Sequence, residues 1–300
     1  MIGGLNTAIL ASIGALDREV EKWHTNVKND GGDASEQTLK ALSEFITTLK
    51  QNNIRNKIKR CNLFCGTNLR ASLHPIIVGD SDRSIGYLKD KNYGFTNADY
   101  SITTGLSALG TNLQETAGKY LETDVFLSSV GMSDDYGQLS FMSALGDVPL
   151  SSIGDYMMPL CGGDYMTKSD LSAYIEFNSD KVLKAASPSS FSPGSADGYV
   201  KVENVDTVGG FWLANRTSST NQKLYKNALE FDNSDATADQ SAHPIGGYKF
   251  RIFGAAVGNE VIQTSIYKLL FYSLGSSLTE SEITILNDAL TNFNSTLNRI

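Results

Sequence analysis

The chain of 300 residues has 33 acidic and 25 basic side chains, a formal net charge of -8 and a hydrophobic content of 41% that is enough to bury one large core. It has no clustered Lys/Arg face of the kind that phosphate binding needs, which argues against a nucleic-acid partner. No apolar run reaches the length of a membrane span, so we expect no transmembrane segment.

The start of the chain and its cysteines both bear on where it folds. Residues 1–16 lack the basic start and uninterrupted apolar stretch of a secretory signal, so we expect no export signal there. Cys61, Cys65 and Cys161 form an odd set, which favours free buried thiols over a disulfide framework. Both features are typical of a protein that folds in a reducing cytoplasm.

An apolar stripe with alternating spacings of three and four residues predicts a helix in the first thirty positions. Its members are Asn6, Ile9, Ile13, Leu16, Val20, Trp23 and Val27. So narrow a stripe needs a partner, and two alternatives stay open. Either the helix folds back on its own domain, or it forms an interface with a sister subunit or a neighbouring protein. The interface candidates are Ile9, Ile13, Leu16, Val20, Trp23 and Val27.

A second helix is predicted to follow the turn at Asn29–Asp33 and to end near Lys50. Asp33 and Glu36 have the spacing of a capping box, so Asp33 is the expected N-cap. We therefore expect residues 1–60 to form a helical docking or oligomerisation region. A basic stretch near its end is interpreted as a solvated helix face rather than a phosphate site. It consists of Arg55, Lys57, Lys59 and Arg60.

From Cys61 onward, short apolar segments separated by turn residues predict an antiparallel β-sandwich. The expected strands are Tyr120–Leu127, Leu139–Ala144, Tyr156–Cys161, Leu171–Phe177, Tyr199–Val205, Phe211–Arg216, Lys223–Phe231, Tyr248–Val257 and Ile266–Leu274. Ser187–Gly198 is interpreted as a surface loop. The sandwich is expected to occupy residues 61–300, including a C-terminal helix over residues 279–298 with Thr279 as N-cap and Glu282 completing a capping box.

A search for catalytic groups finds one weak pair of carboxylates. Glu122 and Asp124 alternate along a predicted strand, as an acid and a nucleophile of a glycoside hydrolase would, but the next position on that face is Phe126. His24, His74 and His243 are scattered and fit neither a metal site nor a catalytic triad. We therefore expect no catalytic residues and no enzyme activity.

Calcium is the one ion that the sequence leaves open. Asp232, Asp235 and Asp239 are weak calcium candidates in an oxygen-rich segment that does not match a twelve-residue calcium loop. Turn formation and solubility explain such residues more simply, so no metal and no cofactor are expected. Trp212, beside Phe211 and Leu213, is interpreted as a core residue rather than a sugar-stacking platform.

Five segments together carry a family resemblance: Ile54–Lys59, Lys119–Thr123, Leu213–Thr217, Lys223–Asn227 and Phe271–Thr279. In these segments the chain resembles a group of phage and prophage virion proteins that contain a concanavalin A-like (laminin-G-like) lectin/glucanase sandwich. The resemblance extends from about Trp23 to the end of the chain. It departs from the family at Asn227–Ala228, where the usual turn is Asn-Gly. Because a type I′ turn without Gly is strained, a longer or differently shaped turn is expected there.

The resemblance implies a mainly β, jelly-roll type sandwich and a place on a phage particle. The leading hypothesis is a virion structural protein, a capsid decoration, head fibre or tail fibre component, that binds other virion proteins after assembly in the bacterial host cytoplasm. The alternative is an adhesin whose Ser187–Gly198 and Asp232–Asp239 loops bind a host glycan. A homo-oligomer is expected: the stripe with Ile9 and Ile13 permits a dimer or a trimer, and the analogy with phage appendages favours the trimer.

Overall fold

The computed structural model describes residues 16–79, 89–108, 119–126, 136–144, 157–162, 171–177, 183–190, 200–202, 205, 209–218, 221–232, 249–257, 260–264 and 268–299. Within residues 157–202 and 255–264 the description covers the backbone of the strands and not their side chains. Among the described residues, no helix is both long and apolar enough to cross a membrane.

The described α-helices lie at the two ends of the chain, apart from one short helix. They are α1 Arg18–Asn29, α2 Glu36–Gln51, α3 Leu69–Ser72 and α4 Glu280–Thr296. The predicted capping box of α4 is confirmed, since Thr279 and Glu282 bond to each other's backbone N–H. The predicted cap of α2 is wrong: Ser35, not Asp33, accepts the first-turn N–H. The Asp33 carboxylate instead accepts from its neighbour Ala34 and lies 2.8 Å from His24 Nε2.

The strands within the described residues are mostly antiparallel neighbours in two sheets. In chain order they are β1 Ile58–Asn62, β2 Ile77–Val78, β3 Lys91–Tyr93, β4 Tyr100–Ser101, β5 Gly105–Ser107, β6 Tyr120–Phe126, β7 Gly137–Ser143, β8 Met157–Gly162, β9 Leu171–Phe177, β10 Leu183–Ser190, β11 Val200–Val202, β12 Gly210–Ser218, β13 Asn221–Lys226, β14 Leu229–Asp232, β15 Lys249–Ile252, β16 Gly254–Val257, β17 Glu260–Thr264 and β18 Lys268–Gly275. The prediction of a mainly β protein is confirmed.

The two sheets pack against each other. The first sheet has the order β14-β13-β12-β7-β18-β1-β2, with β5 beside β18 and β4 beside β5, and the second has the order β11-β10-β9-β8-β15-β6-β3. Strand β10 contacts β12 and β7, and β11 contacts β14, so the sheets lie face to face. Strands β16 and β17 form a separate hairpin that contacts β8.

The three long helices cover the other face of the first sheet. Phe211 and Leu213 of β12 share one core with the helices, whereas Trp212 and Ala214 alternate to the opposite face, and all four are buried. The prediction that Trp212 is a core residue is confirmed. The predicted domain boundary at residue 60 falls inside β1, and β1 belongs to this shared core.

The predicted strand Lys223–Phe231 is a hairpin, and the shape expected for its turn is wrong. Lys226 pairs with Leu229, so the connection is the tight two-residue turn Asn227–Ala228, with φ of 50° and 64°. Asn227 is held in place because its backbone N–H donates to the Phe211 carbonyl and its Oδ1 accepts from the Phe211 N–H. These two bonds stabilise a left-handed turn that Ala228 disfavours on its own.

The predicted strand Tyr248–Val257 is also interrupted. It breaks at Phe253, whose φ of 67° is rare for a bulky residue, and the chain then leaves the second sheet to begin β16. The Phe253 ring is buried and packs at 5.2 Å from the Phe95 ring and at 6.5 Å from the Phe64 ring. Aromatic packing therefore compensates for an unfavourable backbone conformation.

Candidate functional site

One part of the second sheet brings aromatic and charged side chains together on its outer face. Along β6, Leu121 and Thr123 are fully buried between the sheets, so Tyr120 and Glu122 alternate to the opposite side. On the neighbouring edge strand β3, Tyr93 pairs with Tyr120 and Lys91 pairs with Glu122. We call this surface the platform and define it by its side chains: Lys91, Tyr93, Tyr120, Glu122, Lys249 and Arg251.

The aromatic part of the platform is a stacked pair of tyrosines. The Tyr93 and Tyr120 ring centroids are 4.4 Å apart with an interplanar angle of 7°, and both side chains are partly exposed. Lys91 Nζ lies 5.2 Å from the Tyr93 ring centroid. Partial burial and the neighbouring Tyr93 raise the pKa of Tyr120. The two rings cover each other's inner faces, so the pair offers its outer apolar faces and its hydroxyl-bearing edge, and the Tyr120 hydroxyl is neutral.

The charged part of the platform is centred on Glu122. Its carboxylate lies 3.2 Å from Lys249 Nζ, 3.6 Å from the Arg251 guanidinium and 4.0 Å from Lys91 Nζ. The Glu122 and Arg251 side chains are only 11% and 6% exposed, whereas Lys91 and Lys249 are 57% and 36% exposed. The platform thus has a buried ionic base and an exposed rim of amines.

The backbone register continues the platform across the second sheet. Arg251 stands opposite both Glu122 and Cys161, and Cys161 stands opposite Tyr174, which pairs with Ala186. With Lys91, these positions form one row that crosses six strands.

A buried cluster fixes the edge strand that carries Lys91 and Tyr93. Asp90, directly before β3, is fully buried with Arg60 of β1, and one of its oxygens lies 2.5 Å from the guanidinium. Tyr272 of β18 donates to the same carboxylate, and Asn62 donates to it at 2.9 Å. The Asp90 N–H also donates to the Leu73 carbonyl. The platform edge is therefore tied to the first sheet through charge-assisted hydrogen bonds.

Each cluster member influences its neighbours electrostatically. Burial raises the pKa of Tyr272 well above its ordinary value, so its hydroxyl remains a donor. Burial alone would lower the pKa of Arg60, but Tyr272 and Asp90 outweigh that effect and raise it. Arg60 and Arg55, which is 4% exposed and pairs with Glu19, are not on a solvated helix face, so that interpretation of the basic stretch is wrong.

The residues that the sequence offered as weak catalytic or calcium candidates are only partly described. Glu122 lies in the platform, while the side chain of Asp124 lies outside the described part of the chain. Asp235, Asp239 and the side chain of Asp232 are also outside it. Among the residues that the structure describes, no group of three or more His, Cys, Asp or Glu side chains is arranged to hold a metal ion. Cys61 and Cys65 are free and buried.

Four of the six predicted interface residues lie within the described part of the chain. Ile9 and Ile13 lie outside the described residues. Leu16, Val20, Trp23 and Val27 are buried in the core that α1 shares with α2 and the first sheet, and the Trp23 indole donates to the His74 carbonyl at 2.8 Å. These four side chains therefore pack within their own chain, the first of the two alternatives that the sequence left open.

An open cavity lined by polar residues lies at the end of α1. It has a volume of about 320 Å³ and is lined by Asn26, Asn29, Asp30, His74 and Lys89. Asp30 lies 3.1 Å from His74 Nε2 and 2.7 Å from Lys89 Nζ. Burial lowers the pKa of His74, although the Asp30 carboxylate opposes that shift. The cavity therefore brings together His74, one of the three scattered histidines, and Asp30 of the predicted turn Asn29–Asp33.

Sequence reasoning missed most of the platform. Glu122 was singled out, but Lys91 and Tyr93 belong to a three-residue edge strand that is too short to give a periodic signal. Arg251 alternates with the buried Phe250 and Ile252 along β15 and lies on the opposite face, where its burial depends on its ionic partner Glu122. No local signal identifies Asp90 as the partner of Arg60, since the pairing joins residues 30 positions apart.

Comparisons with known proteins add only distant likenesses. No family model and no curated protein matches this chain. Among solved structures, it is similar to the botulinum neurotoxin serotype D binding domain, with TM-score 0.48, 9% identity, 79% of this chain and 52% of that chain covered. It is also similar to the NanB sialidase from Streptococcus pneumoniae, with TM-score 0.40, 10% identity, 53% of this chain and 25% of that chain.

A third likeness is to a structure of botulinum neurotoxin type C, a toxin whose cell entry depends on interaction with two ganglioside molecules. Its TM-score is 0.46, with 12% identity over 79% of this chain and 52% of that chain. This chain therefore spans about half the length of the toxin structures and about a quarter of the sialidase. With TM-scores below 0.5, none of these likenesses carries an argument about this chain.

Proposed function

We propose that this protein binds carbohydrate on the platform of the second sheet. The observation that carries the proposal is the stacked Tyr93–Tyr120 pair directly beside the Glu122 ion cluster. Sugars combine apolar C–H faces with many hydroxyl groups, so they need flat aromatic surface next to polar groups. Tyrosine supplies both from one rigid side chain. Lys91 and Lys249 add hydrogen-bond donors beside the rings, and Glu122 holds these amines in place.

The surroundings of Glu122 favour binding over hydrolysis. A glycosidase needs one carboxyl group that can deliver a proton and a second one at a defined separation. Here both Glu122 oxygens face cations, the amines of Lys91 and Lys249 and the guanidinium of Arg251. Such a carboxylate serves as a structural anion and a hydrogen-bond acceptor. We therefore propose a binding protein without glycosidase activity. We also propose that its β-sandwich belongs to the concanavalin A-like class.

The direct test is a glycan array followed by titration calorimetry on the wild type and on Tyr120→Ala. Removal of this ring takes away half of the stacked pair, and we expect binding to weaken about two- to tenfold, the scale of a stacking contact. Tyr136→Ala is the matched control, because Tyr136 is 51% exposed and lies outside the platform. Equal losses in both variants, or no glycan bound by the wild type, would contradict the proposal.

The setting that we propose for this binding is the surface of a bacteriophage particle, as a capsid decoration, head fibre or tail fibre component. The support is the sequence resemblance in segments such as Lys119–Thr123 and Phe271–Thr279. The first of these segments includes Tyr120 and Glu122, so the resembling region and the platform overlap. Mass spectrometry of purified particles, separated into heads and tails, tests this setting, and absence of the chain from both fractions would overturn it.

A further inference from the structure

We infer that the bound sugar stacks on Tyr120, in a slot at the end of β15, and that it is a pyranoside with one face free of axial oxygens. The inference rests on the proposed carbohydrate binding and adds the ring and the class of sugar for the same site. The slot is the position beside Tyr120 on the outer face of the second sheet, next to the point where β15 ends at Ile252.

The two tyrosines of the stack are not equivalent. Their ring centroids lie 4.4 Å apart and the planes are nearly parallel, so each ring covers one face of the other. Lys91 Nζ lies over the Tyr93 ring, 5.2 Å from its centroid, and therefore on the face that Tyr120 leaves uncovered. Among the described residues, no further aromatic ring and no cation lies over the Tyr120 ring. A sugar that needs a flat apolar surface accordingly meets it on Tyr120.

Strand β15 ends without placing a side chain beside Tyr120. Ile252 pairs with Leu121, and both are buried between the sheets. Because side chains alternate along a strand, a continued β15 would place the side chain of residue 253 on the outer face, beside Tyr120. Phe253 instead has a φ of 67°, and its ring is buried at 5.2 Å from the Phe95 ring. Backbone strain of this kind clusters at binding sites, where the surrounding structure maintains it.

Polar groups border the slot on one side and restrict the sugar. Glu122 and Arg251 are the next outward-facing pair along β6 and β15, and their charged groups lie 3.6 Å apart. Hydroxyl groups at the edge of the sugar therefore face charged side chains while its C–H face lies on Tyr120. An axial oxygen on that face would hold the sugar away from the aromatic ring and remove the close contacts. The ligand class is therefore a pyranoside with axial C–H groups alone on one face.

The test compares two sugars that differ only at the anomeric carbon. Methyl β-D-galactopyranoside has one face with axial C–H groups alone, whereas each face of methyl α-D-galactopyranoside carries an axial oxygen. We expect the wild type to bind the β anomer about two- to tenfold more tightly in NMR titrations, the scale of a stacking contact. Nuclear Overhauser effects should connect the C–H protons of the sugar to the ring protons of Tyr120 and not to those of Tyr93.

Tyr120→Leu and Tyr93→Leu are the matched variants, because each removes one ring of the same stack. We expect Tyr120→Leu to lose the preference for the β anomer and Tyr93→Leu to keep it, and thermal unfolding verifies that both are folded. Overhauser effects to Tyr93, or loss of the preference in Tyr93→Leu, would overturn the inference and leave the proposed function intact. If neither anomer binds but the glycan array yields a ligand that depends on Tyr120, the inference alone fails. An empty array removes both.

Discussion

Arg60 and Asp90 form an ion pair in which both side chains are 0% exposed, and this pair joins the first sheet to the edge strand of the second. Arg60 belongs to β1, while Asp90 directly precedes Lys91 and Tyr93 of the platform. A buried ion pair seldom adds net stability over apolar residues, but loss of one partner leaves the other charge buried without compensation. The pair therefore determines where β3 lies.

We expect Asp90→Asn to lower the free energy of unfolding by about 3–5 kcal/mol, because the buried Arg60 guanidinium loses its counterion. Urea denaturation measures this change. The same variant should weaken saccharide binding in conditions where it remains folded, since β3 positions Lys91 and Tyr93. Asp288→Asn, an exposed position on α4, is the control and should stay within about 0.5 kcal/mol of the wild type. A loss below about 1 kcal/mol for Asp90→Asn would show that the pair is not a structural anchor.

The C-terminal helix depends on its capping box. Thr279 Oγ1 accepts from the Glu282 N–H at 3.3 Å, and Glu282 accepts from the Thr279 N–H at 2.8 Å. We expect Thr279→Ala to destabilise the protein by about 1 kcal/mol in chemical denaturation. Thr284→Ala, which changes the same residue type inside the helix, should be neutral or slightly stabilising because Ala has the higher helix propensity. Equal effects at both positions would argue against the cap.

The hairpin turn at Asn227–Ala228 leaves room for stabilisation. Ala228 has a φ of 64°, a conformation that costs an L-residue about 1–2 kcal/mol and glycine almost nothing. Glycine also increases the entropy of the unfolded chain, by about 0.5–1 kcal/mol, so we expect Ala228→Gly to raise stability by about 0.5–1 kcal/mol. The midpoint of urea unfolding checks the sign, and a lower midpoint would mean that the packing of the Ala228 methyl group outweighs the strain.

The cavity at the end of α1 predicts a pH dependence. Because burial lowers the pKa of His74 in the folded protein, the unfolded chain binds a proton first as the pH falls below about 6.5. The stability present above that pH is therefore lost as the pH falls through the folded pKa. The lowered pKa of Asp30 acts in the same direction, but only below about pH 3.9.

Unfolding free energies measured between pH 7 and pH 5 test this dependence. We expect a decrease toward pH 5 in the wild type and a flatter profile in His74→Gln. A slope that survives in His74→Gln would assign the effect to another group.

Local sequence patterns accounted for the elements whose determinants are close together in the chain. The helix after Thr279 follows from a cap and an apolar stripe within twenty residues, and the strand Leu171–Phe177 follows from alternation. The sequence failed where a second interaction competed with the local one. Asp33 had the spacing of a cap but bonds to Ala34 and His24, and Asn227–Ala228 forms a tight turn because Phe211 holds Asn227.

The sequence by itself determined a mainly β chain with helical ends, since periods of two and of three to four residues are properties of the local backbone. Only the tertiary structure decided which charges are buried and which residues meet. Arg60 appeared to belong to a solvated basic stretch, yet Asp90 and Tyr272, at 30 and 212 positions away, make its burial favourable. The platform arises in the same way, because strand pairing brings Lys91, Glu122 and Arg251 side by side from three separate segments, and no periodicity within one segment encodes that contact.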